Sequence, residues 1–479
     1  VAVLAVVAVV AVVVARRAPG EPAAAAPTPH LGTPLWSARR VAQPVVDAVG
    51  QARLTAALAA AAAGTSACYA VDDAAGGVVT AAADQPLIPA STQKLLTATA
   101  ALARLGPDFR YETRASAPTK VQGGTLDRLF LVGAGDPLIT TPEAAAVLAQ
   151  DPAHRGDALT PLADLADALV AAGVRRIPGG IVADDSRYDD VRYVAAWPDS
   201  YRADREIGPI GALTVNHGFT GPAGQGPAAA DPARNAADEL ARLLTARGVA
   251  VGPSSRGRAP ADATTVATLR SPPLAAVLTE LLASSDNLTA EMVAKELAAQ
   301  QTRPGTTAAG TAAIERALTD LGLPTAGMVM VDGSGLARQN RATCALLLAA
   351  LGLASEPRFA TLHDGLAIAG ERGTLATRLR GTPLAGTLRA KTGSLSGVTG
   401  LAGFLAVTRP VTFALLANGA FGESGGVALR ERMARAIAEY PDAPAPEVLV
   451  PAPLAAAPAV RPASTAPSTE ACPSSSAAC

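Results

Sequence analysis

An α+β fold, with an antiparallel sheet flanked by helices and α/β modules inserted into it, is predicted by three observations in this 479-residue sequence. Helix-forming and strand-forming stretches stand on both sides of residues 107–267. Across that stretch the composition changes to short strands, Gly-rich turns and two helices. Residues 387–418 read as three consecutive strands. Elements of one layer that lie far apart in sequence imply a discontinuous domain, and the length suffices for two or three domains. The expected division is 50–106 plus 268–440 for the main domain, 107–267 for the insertion, and a segment at each end.

The elements follow in order. Residues 1–15 are uninterruptedly apolar and lead into Arg16 and Arg17, so residues 1–17 read as a signal peptide or a membrane anchor, and 18–49, rich in Pro and Ala, as a tether and lead-in. Fifteen helical residues reach about 22 Å, against about 30 Å of bilayer hydrocarbon. Cleaved and retained forms both stay open, and either makes the protein extracytoplasmic. Residues 67–80 have the pattern of a hairpin turning at Gly76-Gly77. Residues 91–105 form a strong helix, stopped by Gly106-Pro107. In the insertion, helices over 161–172 and 233–247 each run into Gly-Val before a strand. Helices return over 272–283 and 288–299, and the strands of 387–418 turn at 394–397 and at Arg409-Pro410. Residues 441–479 are mostly Ala, Pro, Ser and Thr, a disordered tail.

Composition excludes several functions. Lys plus Arg at 40 against Asp plus Glu at 41 leaves no basic surplus for a phosphate backbone, and 3% aromatic residues do not build a base-stacking platform, so nucleic acid is not a partner. Cys68, Cys344, Cys472 and Cys479 form no Cys-x-x-Cys, and His30, His154, His217 and His363 form no His-Glu-x-x-His. No metal and no cofactor is expected. Cys472 and Cys479 are free to pair with each other or to stay single.

The basic residues carry the chemistry. Only Lys94, Lys120, Lys295 and Lys391 are lysines and the other 36 are arginines. Where charge alone matters Arg serves, so each surviving Lys is either a chance survivor or sits where Arg cannot serve, since a Lys ammonium can shift its pKa and act as a base. Ser91-Thr92-Gln93-Lys94 places a hydroxyl at a helix start and an amine one turn on, on the same face. The positive helix end favours neutral Lys94, which then takes the Ser91 proton and makes Ser91 a nucleophile. Ser91 is equally suited to cap the helix. Ser285-Asp286-Asn287 precedes another helix: Ser285 suits a proton relay, and Asn287 suits holding a substrate carbonyl while steadying Lys94. Capping is the alternative there too, although Asn is scarce, five in 479. Lys391-Thr392-Gly393 is expected at the end of a strand beginning near Gly386, with Gly393 admitting a close backbone and the strand edge admitting an extended peptide. Lys391 and Thr392 suit a carboxylate, and the N–H groups of Ser91 and Ser394 an oxyanion hole.

Ser-x-x-Lys, Ser-x-Asn and Lys-Thr-Gly in that order resemble the penicillin-recognising serine acyltransferases, which include serine β-lactamases and D-alanyl-D-alanine peptidases. The 194 residues from Ser91 to Ser285 exceed what a simple β-lactamase uses. With Leu131-Val132-Gly133-Ala134-Gly135-Asp136-Pro137, residues 208–216, Asp332-Gly333-Ser334-Gly335-Leu336 and Gly373-Thr374-Leu375, they resemble the D-alanyl-D-alanine carboxypeptidase/endopeptidase family, the class C low-molecular-mass penicillin-binding proteins. The resemblance covers about residues 50–440 and implies a serine β-lactamase/DD-peptidase-like fold. It further implies cleavage of peptidoglycan stem peptides through an acyl-enzyme on Ser91, inhibition by β-lactams, and a place in or at the cell wall; the N-terminal segment, which offers membrane contact if retained as an anchor, lies outside the resemblance. The alternatives are a β-lactamase or esterase on this fold, or a catalytically silent wall-binding or assembly protein. Removal of the insertion is expected to impair cleavage of cross-linked peptides more than penicillin acylation.

Overall fold

The computed structural model describes residues 43–73, 78–151, 154, 157–222, 225–406 and 410–440. Residues 1–17, expected to be a signal peptide or anchor, most of the expected tether, the Gly76-Gly77 turn, Arg409 and residues 441–479 lie outside the described residues. Along the chain, the strands of the two larger sheets are β1 (Ser66–Asp73), β2 (Val78–Ala81), β3 (Glu112–Ala117), β4 (Leu129–Val132), β5 (Ile181–Asp184), β6 (Ser255–Arg256), β7 (Thr264–Arg270), β8 (Ala367–Ile368), β9 (Leu388–Leu395), β10 (Val398–Leu405) and β11 (Val411–Asn418).

The main sheet has the order β8-β9-β10-β11-β1-β2, and every pair is antiparallel. The strands expected over 387–418 are β9, β10 and β11. Strand β1 closes on β11 in full register, Ser66 opposite Asn418 and Asp73 opposite Val411, which joins the two ends of the main domain. Successive residues of a strand face opposite sides. Cys68, Ala70, Ala414 and Leu416 therefore meet one helical layer, whereas Tyr69, Val71, Phe413 and Leu415 meet another. With both faces covered, β11 reads as the nearly continuous apolar run Phe413-Ala414-Leu415-Leu416-Ala417 rather than as an alternating strand.

Helix α1 (Gln43–Ala61) buries Leu54 and Leu58 on the second of these faces and begins inside the stretch expected to be lead-in. Helix α2 (Lys94–Leu105) is the buried centre of the first layer, where Leu95, Leu96 and Leu102 are fully buried. The insertion carries α3 (Leu162–Ala171) and α4 (Pro232–Thr245), which cover a mixed sheet of order β6-β5-β4-β3-β7 and share its core of Leu129, Leu131, Ile181 and Ala183. Helices α5 (Leu274–Ala283), α6 (Asn287–Ala299), α7 (Thr307–Asp320) and α8 (Cys344–Gly352) complete the first layer, and α9 (Glu423–Glu439) contributes with α1 to the core on the other face. Of these, α7, α8 and α9 stand where the sequence reading assigned no element. Helix α8, Cys344-Ala-Leu-Leu-Leu-Ala-Ala-Leu-Gly, is apolar nearly all round and offers no periodicity to read.

Two further features set up the site. Cys68 of β1 and Cys344 of α8 form a disulfide across 276 residues of sequence, both fully buried. The segment after β5 leaves the insertion's own core: Tyr188, Trp197, Ile207 and Ile210 pack on Leu288 and Met292 of α6 and on Leu336.

Candidate active site

Ser91 lies in a 3₁₀ turn, Ala90–Gln93, that runs directly into α2. Two glycines allow this turn to be packed from both sides. Gly335 has φ +87°, and a Cβ there would come within 2.0 Å of the Ala90 carbonyl oxygen. A Cβ on Gly393 would lie 2.7 Å from the Pro89 oxygen and 3.2 Å from the Thr92 nitrogen, so β9 rests on the turn itself. Thus Lys391-Thr392-Gly393 sits in the middle of β9, not at a strand end. The strand continues to Leu395 because its partner β10 pairs with it down to Leu395 opposite Val398. On the other side β8 pairs only with Arg389 and Ala390, which leaves one edge of residues 391–395 without a strand partner among the described residues.

Lys94 Nζ is fully buried and donates to Ser91 Oγ (2.9 Å), Asn287 Oδ1 (2.6 Å) and the Ser334 carbonyl (2.9 Å). Burial lowers its pKa to about 8, against the opposing pull of Asp286, Asp332, Glu291 and Glu206. An ammonium has three protons for three acceptors. The neutral amine has two, which remain with Asn287 and Ser334, and turns its lone pair to the Ser91 hydroxyl.

Asn287 opens α6 because Asp286 caps the helix, accepting from the Thr289 N–H at 2.5 Å. Ser285 precedes the cap in a left-handed conformation, φ +63°, and lines the same cleft as Ser91. His217, from the insertion, sits 3.1 Å from Asp286. Burial disfavours charge on both groups, but each holds the other ionised: the imidazole rises to about 9 and the carboxyl falls well below its ordinary range.

The cleft has a volume of about 740 Å³, and Ser91, Ser285, Asn287, Thr392 and Ser394 all line it. Lys391 does not. Its side chain is fully buried, Nζ donates to the Thr392 carbonyl (3.0 Å), and burial, reinforced by the charges of Lys94 and Arg430, pushes its pKa well below that of an ordinary lysine. Thr392 Oγ1 donates to Thr374 Oγ1 (3.0 Å).

Several neighbours were not found by sequence reasoning as site residues. Asp332, fully buried, accepts from the backbone N–H of Gly335 (2.8 Å) and Ala337 (2.6 Å), from Asn340 Nδ2 (2.8 Å) and from Trp197 Nε1 (2.7 Å), and so shapes the loop that presents the Ser334 carbonyl to Lys94. Glu291 accepts from the N–H of Gly333 (3.0 Å) and of Ser334 (2.8 Å), and burial with the nearby Asp332 charge raises it to about 8. The signal available for this loop was the run Asp332 to Leu336. Arg430 and Glu206 carried no motif. Among the described residues, His154, Asp157 and Glu280 alone bring three metal-ligand types close together, next to this cleft and outside its serine and lysine groups.

A cleft serine bonded to a buried amine, on helices packed against an antiparallel sheet, belongs to a protein of the DD-peptidase/β-lactamase-like fold. The profile of the D-Ala-D-Ala carboxypeptidase 3 (S13) family matches residues 50–225 and 222–440, and the chain belongs to that family, a serine-type D-Ala-D-Ala carboxypeptidase by class. The D-alanyl-D-alanine carboxypeptidase of Actinomadura sp. (strain R39) is 32% identical over 76% of this chain and 79% of that protein. A carboxypeptidase of Mycobacterium tuberculosis is 35% identical over 70% and 72%. The crystal structure of penicillin binding protein 4 from Haemophilus influenzae superposes with a TM-score of 0.66 at 22% identity, covering 80% of this chain and 98% of that one.

Proposed function

We propose that this chain is an exported serine D-alanyl-D-alanine carboxypeptidase/endopeptidase that cleaves peptidoglycan stem peptides through an acyl-enzyme on Ser91. The observation that carries the reading is the triple bonding of Lys94, which holds a lysine of lowered pKa against Ser91 Oγ. Neutral Lys94 accepts the Ser91 proton as Oγ attacks the carbonyl of the penultimate D-Ala. The oxyanion takes hydrogen bonds from the N–H groups of Ser91 and Ser394. As the C–N bond breaks, Lys94 returns the proton through the Ser285 hydroxyl to the leaving amine. Water then attacks the ester, giving up its proton by the same route, and regenerates the Ser91 hydroxyl. Asn287 holds both Lys94 and the substrate carbonyl, and the peptide lies along the open edge of β9. Lys391, Thr392 and Gly393 complete the substrate site: Gly393 by its close approach, Thr392 by its hydroxyl, and buried Lys391 by its hydrogen bond to the Thr392 carbonyl rather than by contact with substrate.

A β-lactam enters the same cleft and acylates the same oxygen. The Haemophilus influenzae relative has been solved in complex with one. The Cys68–Cys344 disulfide supports export, since such bonds persist in oxidising compartments, and residues 1–17 remain the proposed signal or anchor. The test is to incubate the protein with muropeptides and then with benzylpenicillin, following products and intact mass. Loss of terminal D-Ala, or opening of cross-links, together with a stable penicillin adduct mapped to Ser91, is expected. An adduct on another residue refutes the assignment. Rapid release of the penicilloyl group without peptide cleavage identifies a β-lactamase instead, and full wall-related function in a Ser91→Ala protein a silent binding protein.

A further inference from the structure

A cluster of three metal-ligand side chains joins the insertion to the main domain. His154 and Asp157 belong to the insertion, and Glu280 lies near the end of α5, the helix that leads into Ser285-Asp286-Asn287. His154 Nδ1 stands 2.8 Å from Asp157 Oδ2 and 3.8 Å from Glu280 Oε1, and one ligand atom of each residue lies within 4.8 Å of the other two. Ligands about 2.0–2.2 Å from a small dication stand roughly 2.8–3.6 Å from one another. The two distances from the imidazole therefore fall at or close to what one bound ion requires. Glu280 is only 5% exposed, and its one ion pair among the described residues is that 3.8 Å approach of His154. Burial, with Asp157 beside it, pushes the Glu280 carboxyl up to about 8. Neighbouring carboxylates repel unless a proton or a cation stands between them. The other cations nearby are engaged elsewhere: His217 pairs with Asp286 at 3.1 Å, and Arg372 donates to the Asp364 and Leu366 carbonyls, acting on Asp157 and Glu280 at longer range. A cavity of about 220 Å³, lined by His154 and Glu280, has room for water beside the cluster.

We propose that His154, Asp157 and Glu280 bind a first-row transition-metal dication such as zinc, which fastens the insertion to α5. Two carboxylates balance the charge of such an ion. The neutral imidazole supplies a nitrogen ligand, which selects it over magnesium and calcium, ions that favour oxygen throughout. Three protein ligands and a water from the cavity complete four-coordination. The site shares no residue with the Ser91 and Lys94 machinery and takes no part in the acyl transfer proposed above, so it stands or falls independently of that reading.

The test strips the full chain with a chelator, dialyses it and titrates it with zinc chloride near neutral pH by isothermal calorimetry. One zinc per chain is expected, with a melting temperature that rises with zinc concentration. His154→Ala, Asp157→Asn and Glu280→Gln should each weaken binding by more than about 100-fold, beyond the cost of losing an outer-shell partner. His363→Ala, which removes an exposed imidazole beside Asp364, should bind as wild type does. No zinc uptake by wild-type protein overturns the proposal without any variant. So does uptake that His154→Ala leaves unchanged, and that partly exposed residue is a safe substitution should Glu280→Gln not fold. Equal affinity for magnesium overturns the assignment of a transition metal. Zinc uptake is read directly, so a protein without peptidase activity still decides the matter.

Discussion

The Asn287 amide bridges two parts of the chain: Nδ2 donates to the Glu206 carbonyl at 2.7 Å while Oδ1 accepts from Lys94 at 2.6 Å. Glu206 belongs to the insertion and Lys94 to the main domain. The same segment sends Trp197 to Asp332 and Tyr188 to the Met292 carbonyl and Glu296. The insertion is thus part of the scaffold that orients the amine, whatever else it does for long substrates.

Deleting residues 107–267 in favour of a short linker is therefore expected to abolish penicillin acylation along with peptide cleavage, rather than to spare it. The milder probe is Trp197→Phe, which leaves one Asp332 oxygen short of a buried donor at a cost of about 1–3 kcal/mol. Chemical denaturation should show that loss, and stopped-flow acylation should slow because the Ser334 carbonyl is no longer held as firmly. Wild-type acylation in the deletion protein would refute the scaffold role.

Acylation should follow the titration of Lys94. Its amine is the active form, so the rate rises with pH to a plateau with an apparent pKa of about 8, whereas an unperturbed lysine would place the limb near 10.4. Lys94→Arg keeps the charge and loses the base, and should lower the plateau rate by roughly 10²- to 10⁴-fold and remove the limb at about pH 8. A pH profile of benzylpenicillin acylation, read by intact mass, checks both.

His217 and Asp286 should make stability depend on pH around the cap of α6. The folded His217 pKa, about 9, exceeds its unfolded value near 6.5. The folded protein then holds the extra proton between these values, and the stabilisation, full below 6.5, is lost as pH rises through 9. Asp286 is depressed, so its contribution is present above its unfolded pKa and is lost as pH falls through the lower folded one. His217→Ala should therefore be most destabilising near pH 5–6 and least so above pH 9, measured as guanidinium midpoints across that range. A constant difference at all pH values would exclude the ion pair.

The Cys68–Cys344 bond closes a span of 276 residues between β1 and α8. A cross-link of that reach constrains the unfolded chain strongly, so Cys68→Ala/Cys344→Ala should lose about 2–5 kcal/mol. The lowered guanidinium midpoint should not respond to reducing agent in the variant, whereas reduction of the unfolded wild-type protein should remove most of the difference between the two.

The sequence by itself determined what is local or chemical: the hairpin in the first part of the main domain, α2 to α6, the three strands β9 to β11, and the three motifs that need Ser, Lys, Asn and Gly at short spacing. Strand and helix periodicity, turn residues and the scarcity of lysine suffice for these, because each is written within a few consecutive residues. Only the tertiary structure decided which distant groups meet. Lys391 suits a carboxylate by residue type, but its side chain is fully buried and does not line the cleft, whereas Arg430, in a helix without a motif, lies on the cleft wall. Cys68 found Cys344, and Asn287 found Glu206, for the same reason. Such pairs depend on how sheet and helices pack, and that packing is set by the summed burial of the Leu, Val and Ala side chains in the cores rather than by any signal at the residues that finally touch.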